Sequence, residues 1–408
     1  MASVPLRRNR EFALLWIGQG VSSLGSQISL VAYPLLVLAT TGSPARAGIV
    51  GFAAQAPIAA LALPAGALAD RVDRKRMMVA SDAVRGLALG SVPVALAAGG
   101  IPYLLIVAVA LLDGTGFVCT YVAERGAVRL LVAPEQLGEA VARNESRMFA
   151  AALAGSPLGG LLFGIGRALP FVADAVSYIA AAASKLLIRS PFQEQRDPRQ
   201  RGHAREGVRW LWQRPFFRTC SLLFAFSNPL YTGMYLLMVV LARRDGASAT
   251  LVGVMLALAA GGGLIGALLA PAVARRLTPR AFLVGESLVL ACAIPLLAVV
   301  HSAPLLGVIM GAAELITPVT NSVVVGLRVA LAPDELQGRV QAASTMVSFS
   351  AGWAGPLAVG FLIQNAGATA TVLALTGWAA TLAVVALAAR SFRHPPAVPG
   401  REGTPATI

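Results

Sequence analysis

Between Val340 and Ala389 the chain runs fifty residues without one Asp, Glu, Lys or Arg, broken only by the turn-like Gln364-Asn365-Ala366-Gly367. A charge-free run of that length cannot serve as a surface in water, and one bilayer crossing needs only about 20 residues. It reads as two membrane-spanning helices joined by a short hairpin. In hydrocarbon every backbone N–H and C=O must be satisfied internally, so spans are helices or a closed barrel. Barrel strands alternate apolar and polar residues, whereas runs such as Leu251 to Ala270 are solidly apolar. Helices are therefore expected throughout, in keeping with 57% hydrophobic residues, 13% charged residues and a mean hydropathy of +0.72.

Cutting at charge clusters and Gly/Pro turns gives twelve spans: 12–38, 46–69, 77–98, 102–123, 147–166, 169–188, 217–241, 249–273, 281–300, 304–325, 341–363 and 368–389. The start, with Arg7, Arg8 and Arg10 ahead of an apolar run, has the look of a signal peptide. The run continues to about Leu38 without a small-residue cleavage site, so it is read as an uncleaved first helix.

The net charge of +14 would suit nucleic acid, but its distribution argues against that partner. Of the 33 Lys and Arg, 28 fall in the amino terminus, the even-numbered loops and the carboxyl tail. Four lie in the odd loops (Arg46, Arg167, Arg243, Arg244), and Arg85 lies inside a span. That asymmetry is the positive-inside rule, and it predicts that both termini are cytoplasmic. Cys119, Cys220 and Cys292 fall inside spans without CxxC spacing, where they read as small hydrophobes. No metal cluster, phosphate loop or nucleophile elbow is present, so no metal, cofactor or enzymatic chemistry is expected. An ATP-driven pump is disfavoured because no soluble stretch is long enough for a nucleotide-binding domain.

The longest polar interruption, Arg189 to Arg214, divides the spans six and six. The expected organisation is a half over 1–190, a cytoplasmic linker over 191–215, a second half over 216–391 and a tail over 392–408. The halves also match one another. Arg129-Leu-Leu-Val-Ala-Pro134-Glu-Gln-Leu137 aligns with Arg328-Val-Ala-Leu-Ala-Pro333-Asp-Glu-Leu336 at a shift of 199, which also carries Pro157-Leu158 onto Pro356-Leu357. Two halves of like topology, related by an axis along the membrane normal, imply a cavity between them.

After the second span comes Gly66-Ala-Leu-Ala-Asp70-Arg71-Val-Asp73-Arg74-Lys75-Arg76. Gly66 permits close helix approach, and Asp70 suits either capping a helix amino terminus or pairing with Arg74 one turn on. This stretch resembles the G-x-x-x-D-[RK]-x-G-[RK]-[RK] signature of the major facilitator superfamily, departing at Asp73 where the family has a second glycine. The resemblance extends over the chain in span count, duplication and loop lengths. It implies an all-helical membrane protein whose Gly66, Asp70, Arg71 and Arg74 latch the second span against the eleventh on the cytoplasmic side. The second half has Ala270 where Asp70 stands, so the latch is expected on one side only.

Asn9-Arg-Glu-Phe12, Thr41-Gly42-Ser43-Pro44 and Ser81-Asp82-Ala-Val-Arg85 are similar to the bacterial drug- and siderophore-exporter branch. Gly155-Ser-Pro157-Leu-Gly159-Gly160 approximates its antiporter motif; Gly155/Gly159 and Gly160/Gly164 also read as small-residue packing seams. The resemblance implies a monomer in a bacterial inner membrane that exports a small organic substrate, with protons as the exchanged ion. The alternatives are an uptake or lipid-translocating facilitator of the same fold and a transporter-like sensor. The short, Pro-rich tail after Arg390 disfavours the sensor.

Charges at bilayer depth cost at least ~2.5–3.5 kcal/mol and mark functional candidates. Asp82 and Arg85, three apart in the third span, are expected to pair with each other. Asp113 and Glu314 are near-equivalent in the duplication, with no cation in their own spans. They are read as proton-coupling candidates, or else as acids held neutral by interhelical hydrogen bonds. Asp174 and Glu286 are weaker candidates, since the resemblance implies that the sixth and ninth spans lie outside the cavity. The same resemblance gives spans one, four, seven and ten the cavity lining. Polar side chains at helical spacing there are Gln19, Ser22, Ser26 and Tyr33; Asn228, Tyr231, Thr232 and Tyr235; and Thr317 and Asn321. Ordinary hydrogen bonding between helices accounts for some of them; the large, clustered Asn228, Tyr231 and Tyr235 point to an amphipathic or cationic organic substrate.

Overall fold

A computed structural model describes residues 6–192, 204–274, 276–333, 336–393 and 396. Most of the linker and the tail lie outside the described residues. The remainder is helical: α1 (Arg10–Thr41), α2 (Pro44–Ala69), α3 (Arg74–Ala97), α4 (Tyr103–Leu131), α5 (Leu137–Ile165), α6 (Leu169–Leu186), α7 (Ala204–Gln213), α8 (Pro215–Arg244), α9 (Ala249–Val273), α10 (Pro279–Leu296), α11 (Ala303–Glu314), α12 (Thr317–Leu331), α13 (Gln337–Phe349), α14 (Ala354–Ala388) and the short α15 (Arg390–Arg393). Among the described residues, eleven stretches are long and apolar enough to cross a membrane. The last of these, Gln337–Ala388, folds back at Gly367, whose φ of 82° only glycine adopts readily. The crossings therefore number twelve, six in each half. Leu87, Leu104 and Leu268 are more than two-thirds exposed, as side chains solvated by lipid should be.

Local chemistry sets the helix ends. Thr41-Gly42-Ser43-Pro44 places a left-handed Gly42 (φ 64°) after α1, and Ser43 then caps α2 by accepting from the Arg46 amide. Asp73, the departure from the family signature, caps α3 by accepting from the Arg76 amide at 3.0 Å. Asn9, Ser248 and Thr278 do the same for α1, α9 and α10.

Two expected spans are broken. The tenth divides into α11 and α12 after Glu314, where Pro318 has no N–H for the Glu314 carbonyl. The eleventh divides into α13 and the start of α14, where Pro356 likewise frees the Gly352 carbonyl. There the Thr232 hydroxyl donates to the Gly352 carbonyl at 2.7 Å, and Asn228 Nδ2 donates to the Ser348 carbonyl at 2.7 Å. Helix α8 thus supplies the donors that the broken span lacks.

Glycines set where the halves meet. A β-carbon on Gly48 would sit 2.4 Å from the Pro356 carbonyl oxygen, and one on Gly160 2.3 Å from that of Ala249. Gly253 and Gly360 are equally tight against Ser156 and Pro44. These contacts join α2 to α14 and α5 to α9, all toward the end of the bundle where α1 turns into α2. Within the first half, Gly155 and Gly159 pack on α1 at Gln27 and Ile28. The two glycine pairs of α5 therefore seat it between α1 and α9. Toward the opposite end, Gly66, Gly138 and Gly338 face open space.

Candidate functional site

Between the halves lies a cavity of about 300 Å³ lined by α1 (Leu30, Tyr33, Pro34), α2 (Val50, Gln55), α8 (Tyr231, Thr232, Tyr235) and Pro356 of α14, among others. Its wall is apolar and aromatic. The buried hydroxyls of Tyr33 and Tyr235 have no hydrogen-bond partner among the described residues, and Tyr33 stands edge-on to Phe171 at 5.5 Å. A second, smaller chamber of about 80 Å³ is polar, with Gln19, Ser22, Ser26, Thr120, Glu124 and Arg147 in its wall.

Charged side chains inside the first half form three balanced groups. Arg85 Nε donates to Asp113 Oδ1 at 2.7 Å, and the Tyr178 hydroxyl donates to the same oxygen at 3.1 Å. Ser26 sits between them, 2.8 Å from the Tyr178 hydroxyl and 3.2 Å from Arg85 Nη2. The guanidinium also stacks over the Tyr178 ring at 4.2 Å. Gly116 leaves the room, since a β-carbon there would lie 2.5 Å from Arg85 Cγ. Elsewhere in the first half, Lys185 donates to Asp82, with both side chains fully buried. Glu124 accepts from Gln19 Nε2 and Arg147 Nη1, each at 2.9 Å. Asp174 of α6 has no salt bridge among the described residues: it is fully buried, accepts from the Ser177 hydroxyl at 3.1 Å, and lies within electrostatic reach of Asp113, Arg85 and the cavity-lining Tyr33.

The expected Asp82–Arg85 pair is therefore not formed. Each reaches a partner on another helix, because a cation three residues along its own helix competes with Lys185 of α6 and Asp113 of α4 pointing directly across the interface. Asp113 is likewise no isolated acid. Sequence reading left out Glu124, one residue past the expected end of the fourth span at 123, and Arg147, the first residue of the expected fifth, whereas α4 continues to Leu131 and α5 begins at Leu137. The apolar Leu130-Leu131-Val132 ahead of the helix-breaking Pro134 is the signal for that extension.

The second half is built differently. The Tyr231 hydroxyl donates to Glu286 Oε1 at 3.2 Å and lies 3.0 Å from the Thr317 hydroxyl. Thr320 adds a hydroxyl beside the same carboxyl. Glu314 ends α11 at the break and lies within electrostatic reach of Glu286. Among the described residues neither acid has a salt-bridge partner. Of the α8 candidates, Tyr231, Tyr235 and Thr232 line the larger cavity. Asn228 does not join them there: its amide is held by the Phe224 and Ser348 carbonyls, because the broken span draws its donors inward. Asn321 is exposed and lines neither cavity.

At the α2–α3 turn, Asp70 pairs with Arg74 at 3.2 Å. Arg74 Nη1 also donates to the Phe192 carbonyl at 3.4 Å, and Lys75 Nζ to that of Ile188 at 2.6 Å. Arg74 thus ties the turn to the start of the linker, and Lys75 ties it to the residues just after α6. Arg71 is exposed beside them.

Two like bundles of six crossings around a central cavity define a multi-pass membrane transporter. The chain belongs to the Major Facilitator Superfamily, whose family model matches residues 15–356. It is 27% identical over 381 residues to the multidrug efflux pump Tap of Mycolicibacterium fortuitum, covering 89% of this chain and 91% of that protein. It is 29% identical over 380 residues to the Tap pump of Mycobacterium tuberculosis H37Rv, covering 87% of each. Among solved structures, the nucleoside transporter NupG superposes with a TM-score of 0.73 at 12% identity over 94% of this chain and all of that one. A bacterial homologue of the lysosomal transporter Spinster gives 0.71 at 15% identity, covering 94% and 96%. At those identities the structural likeness speaks to fold alone.

Proposed function

We propose that the protein exports amphipathic, preferentially cationic, small organic molecules across a bacterial inner membrane by proton-coupled alternating access. The observation that carries this reading is the aromatic cavity between the halves, flanked by uncompensated acids on one side. Relatives that match along most of the chain are named multidrug efflux pumps, which supports the same direction. Tyrosine rings and carboxyls together suit a flat organic cation.

The basic loops assign the α2–α3 turn, both termini and the linker to the cytoplasm. With that orientation, the glycine contacts close the halves on the outer side, so this is a state facing inward. Asp70 and Arg74 lie at the inner end, where they hold the second half in the state closed to the cytoplasm. Asp113 and Glu314 are the coupling candidates from the sequence; the Arg85 contact leaves Glu314 the freer of the two. The protein acts as a monomer. The half and linker boundaries at 190/191 and 215/216 fit an arrangement in which the two bundles rock about the cavity.

Accumulation of ethidium in an efflux-deficient bacterial host tests the reading. Expression should lower steady-state dye, and a protonophore should return it to the level of the empty vector. Accumulation unchanged by expression would refute export, and efflux indifferent to the protonophore would refute proton coupling. In a cysteine-free background, single cysteines near Arg196 and at Gly100 should label from opposite faces.

A further inference from the structure

The exporter reading leaves open how occupation of the cavity is felt by a proton. Tyr231 is the residue that touches both. Its ring lines the 300 Å³ cavity beside Tyr33 and Tyr235. The same side chain walls a narrow void on its other face with Glu286, Ser287 and Leu290 of α10. Its hydroxyl reaches Glu286 at 3.2 Å and the Thr317 hydroxyl at 3.0 Å.

We propose that Glu286, reached through Tyr231, is the group that exchanges a proton for a cationic substrate. This rests on the exporter reading above but moves the exchange to a helix that the family resemblance placed outside the cavity. The groups facing Glu286 are Tyr231 of α8, Thr317 and Thr320 of α12, and Glu314 at the end of α11. They comprise three hydroxyls and one more acid. No Lys or Arg pairs with Glu286 among the described residues, so its two protonation states differ by a full, uncompensated charge. Asp113 lacks that property, because Arg85 balances it at 2.7 Å.

The exchange conserves charge. A protonated Glu286 faces an empty cavity. When a lipophilic cation settles on the Tyr231 ring, the carboxyl loses its proton to water and the resulting anion balances the dye. No bond within the substrate forms or breaks. The Tyr231 hydroxyl donates to the carboxylate once it forms, and so ties ring position in the cavity to charge at Glu286. Tyr231 is thus a positioning residue, and Glu286 the titrating one.

The test is proton release from purified protein in weakly buffered detergent upon addition of ethidium, with dye binding followed in parallel. Wild type should release about one proton per dye bound at the mid-point of its pH profile. Glu286→Gln should bind dye and release none. Tyr231→Phe keeps the ring but removes the hydroxyl, and should move the pH mid-point of release while changing dye affinity less than Tyr231→Leu does. Dye binding itself reports that each variant is folded; a Glu286→Gln protein that does not fold leaves the Tyr231→Phe shift to decide. Full release from Glu286→Gln, or an unshifted profile in Tyr231→Phe, would overturn the assignment. Release lost only in Glu314→Gln would place the exchange there instead. Wild type that binds no ethidium would bring down the exporter reading itself, an outcome distinct from binding without release.

Discussion

The first half of the molecule carries Asp82, Asp113 and Glu124 at depth, and each has a cation from a neighbouring helix against it. Its remaining deep acid, Asp174, accepts from the Ser177 hydroxyl and lies within electrostatic reach of Arg85 and of Tyr33 in the cavity wall. The second half carries Glu286, bonded to the cavity-lining Tyr231, and Glu314 within electrostatic reach of it, with only hydroxyls and each other nearby. The halves follow one duplicated plan, although the second breaks into α11/α12 and α13/α14 where the first runs unbroken through α4 and α5. A balanced ion pair holds helices together but resists changing its charge, since removing either partner strands the other in a poor solvent. An acid without a counter-charge is poor cement and a usable switch.

The largest effect that sets the halves apart should come from Glu286→Gln. Uphill dye export into everted vesicles under an imposed pH gradient should fall to the level of vesicles lacking the protein. If Glu286→Gln and Glu314→Gln both retain uphill export with unchanged pH dependence, the second half is not the switch. Next comes Asp113→Asn, which leaves the Arg85 guanidinium buried without its anion. Loss of about 3–5 kcal/mol is expected, seen as a lower melting temperature in detergent, with part recovered by adding Arg85→Met. An unchanged melting temperature would mean that the pair is not what holds the first half.

Asp70 gives a third contrast, since its counterpart is Ala270. Asp70→Asn should slow transport with protein abundance preserved, by shifting the conformational equilibrium roughly 5–150-fold for a latch of about 1–3 kcal/mol. Normal kinetics would remove the turn from the mechanism. The smallest effect belongs to Thr232→Val, which withdraws the donor from the Gly352 carbonyl. Interhelical hydrogen bonds in membranes contribute about 0.6 kcal/mol and at most ~1.7, so the loss should lie in that range.

The crossings were legible because hydrocarbon tolerates so few sequences: a charge-free run with Gly367 in its middle has few ways to fold. The turn at Gly42 and the small-residue face of α5 were legible for similar reasons, each depending on one local requirement. Partners were not. Asp82 lies three residues from Arg85 and 103 from Lys185, and sequence distance gives no hint that the distant residue wins. The breaks at Pro318 and Pro356 were also missed. Proline is common in membrane helices, and whether it only bends the chain depends on donors from a neighbour, here Thr232 and Asn228.

The seam that joins the halves is mostly main chain against main chain, with Gly48, Gly160, Gly253 and Gly360 on its faces and the Ser43 hydroxyl on Gln364 at 3.0 Å beside it. Such a gate is locked by shape, with no buried charge to rehydrate as it parts. Its opening should therefore be almost indifferent to ionic strength and acutely sensitive to volume. One added methyl acts as a wedge. A methyl on Gly160 would hold the gate ajar, and the same group on Gly66, which faces open space, would go unfelt in this conformation. The seam thus answers to fit, whatever the charge elsewhere in the bundle.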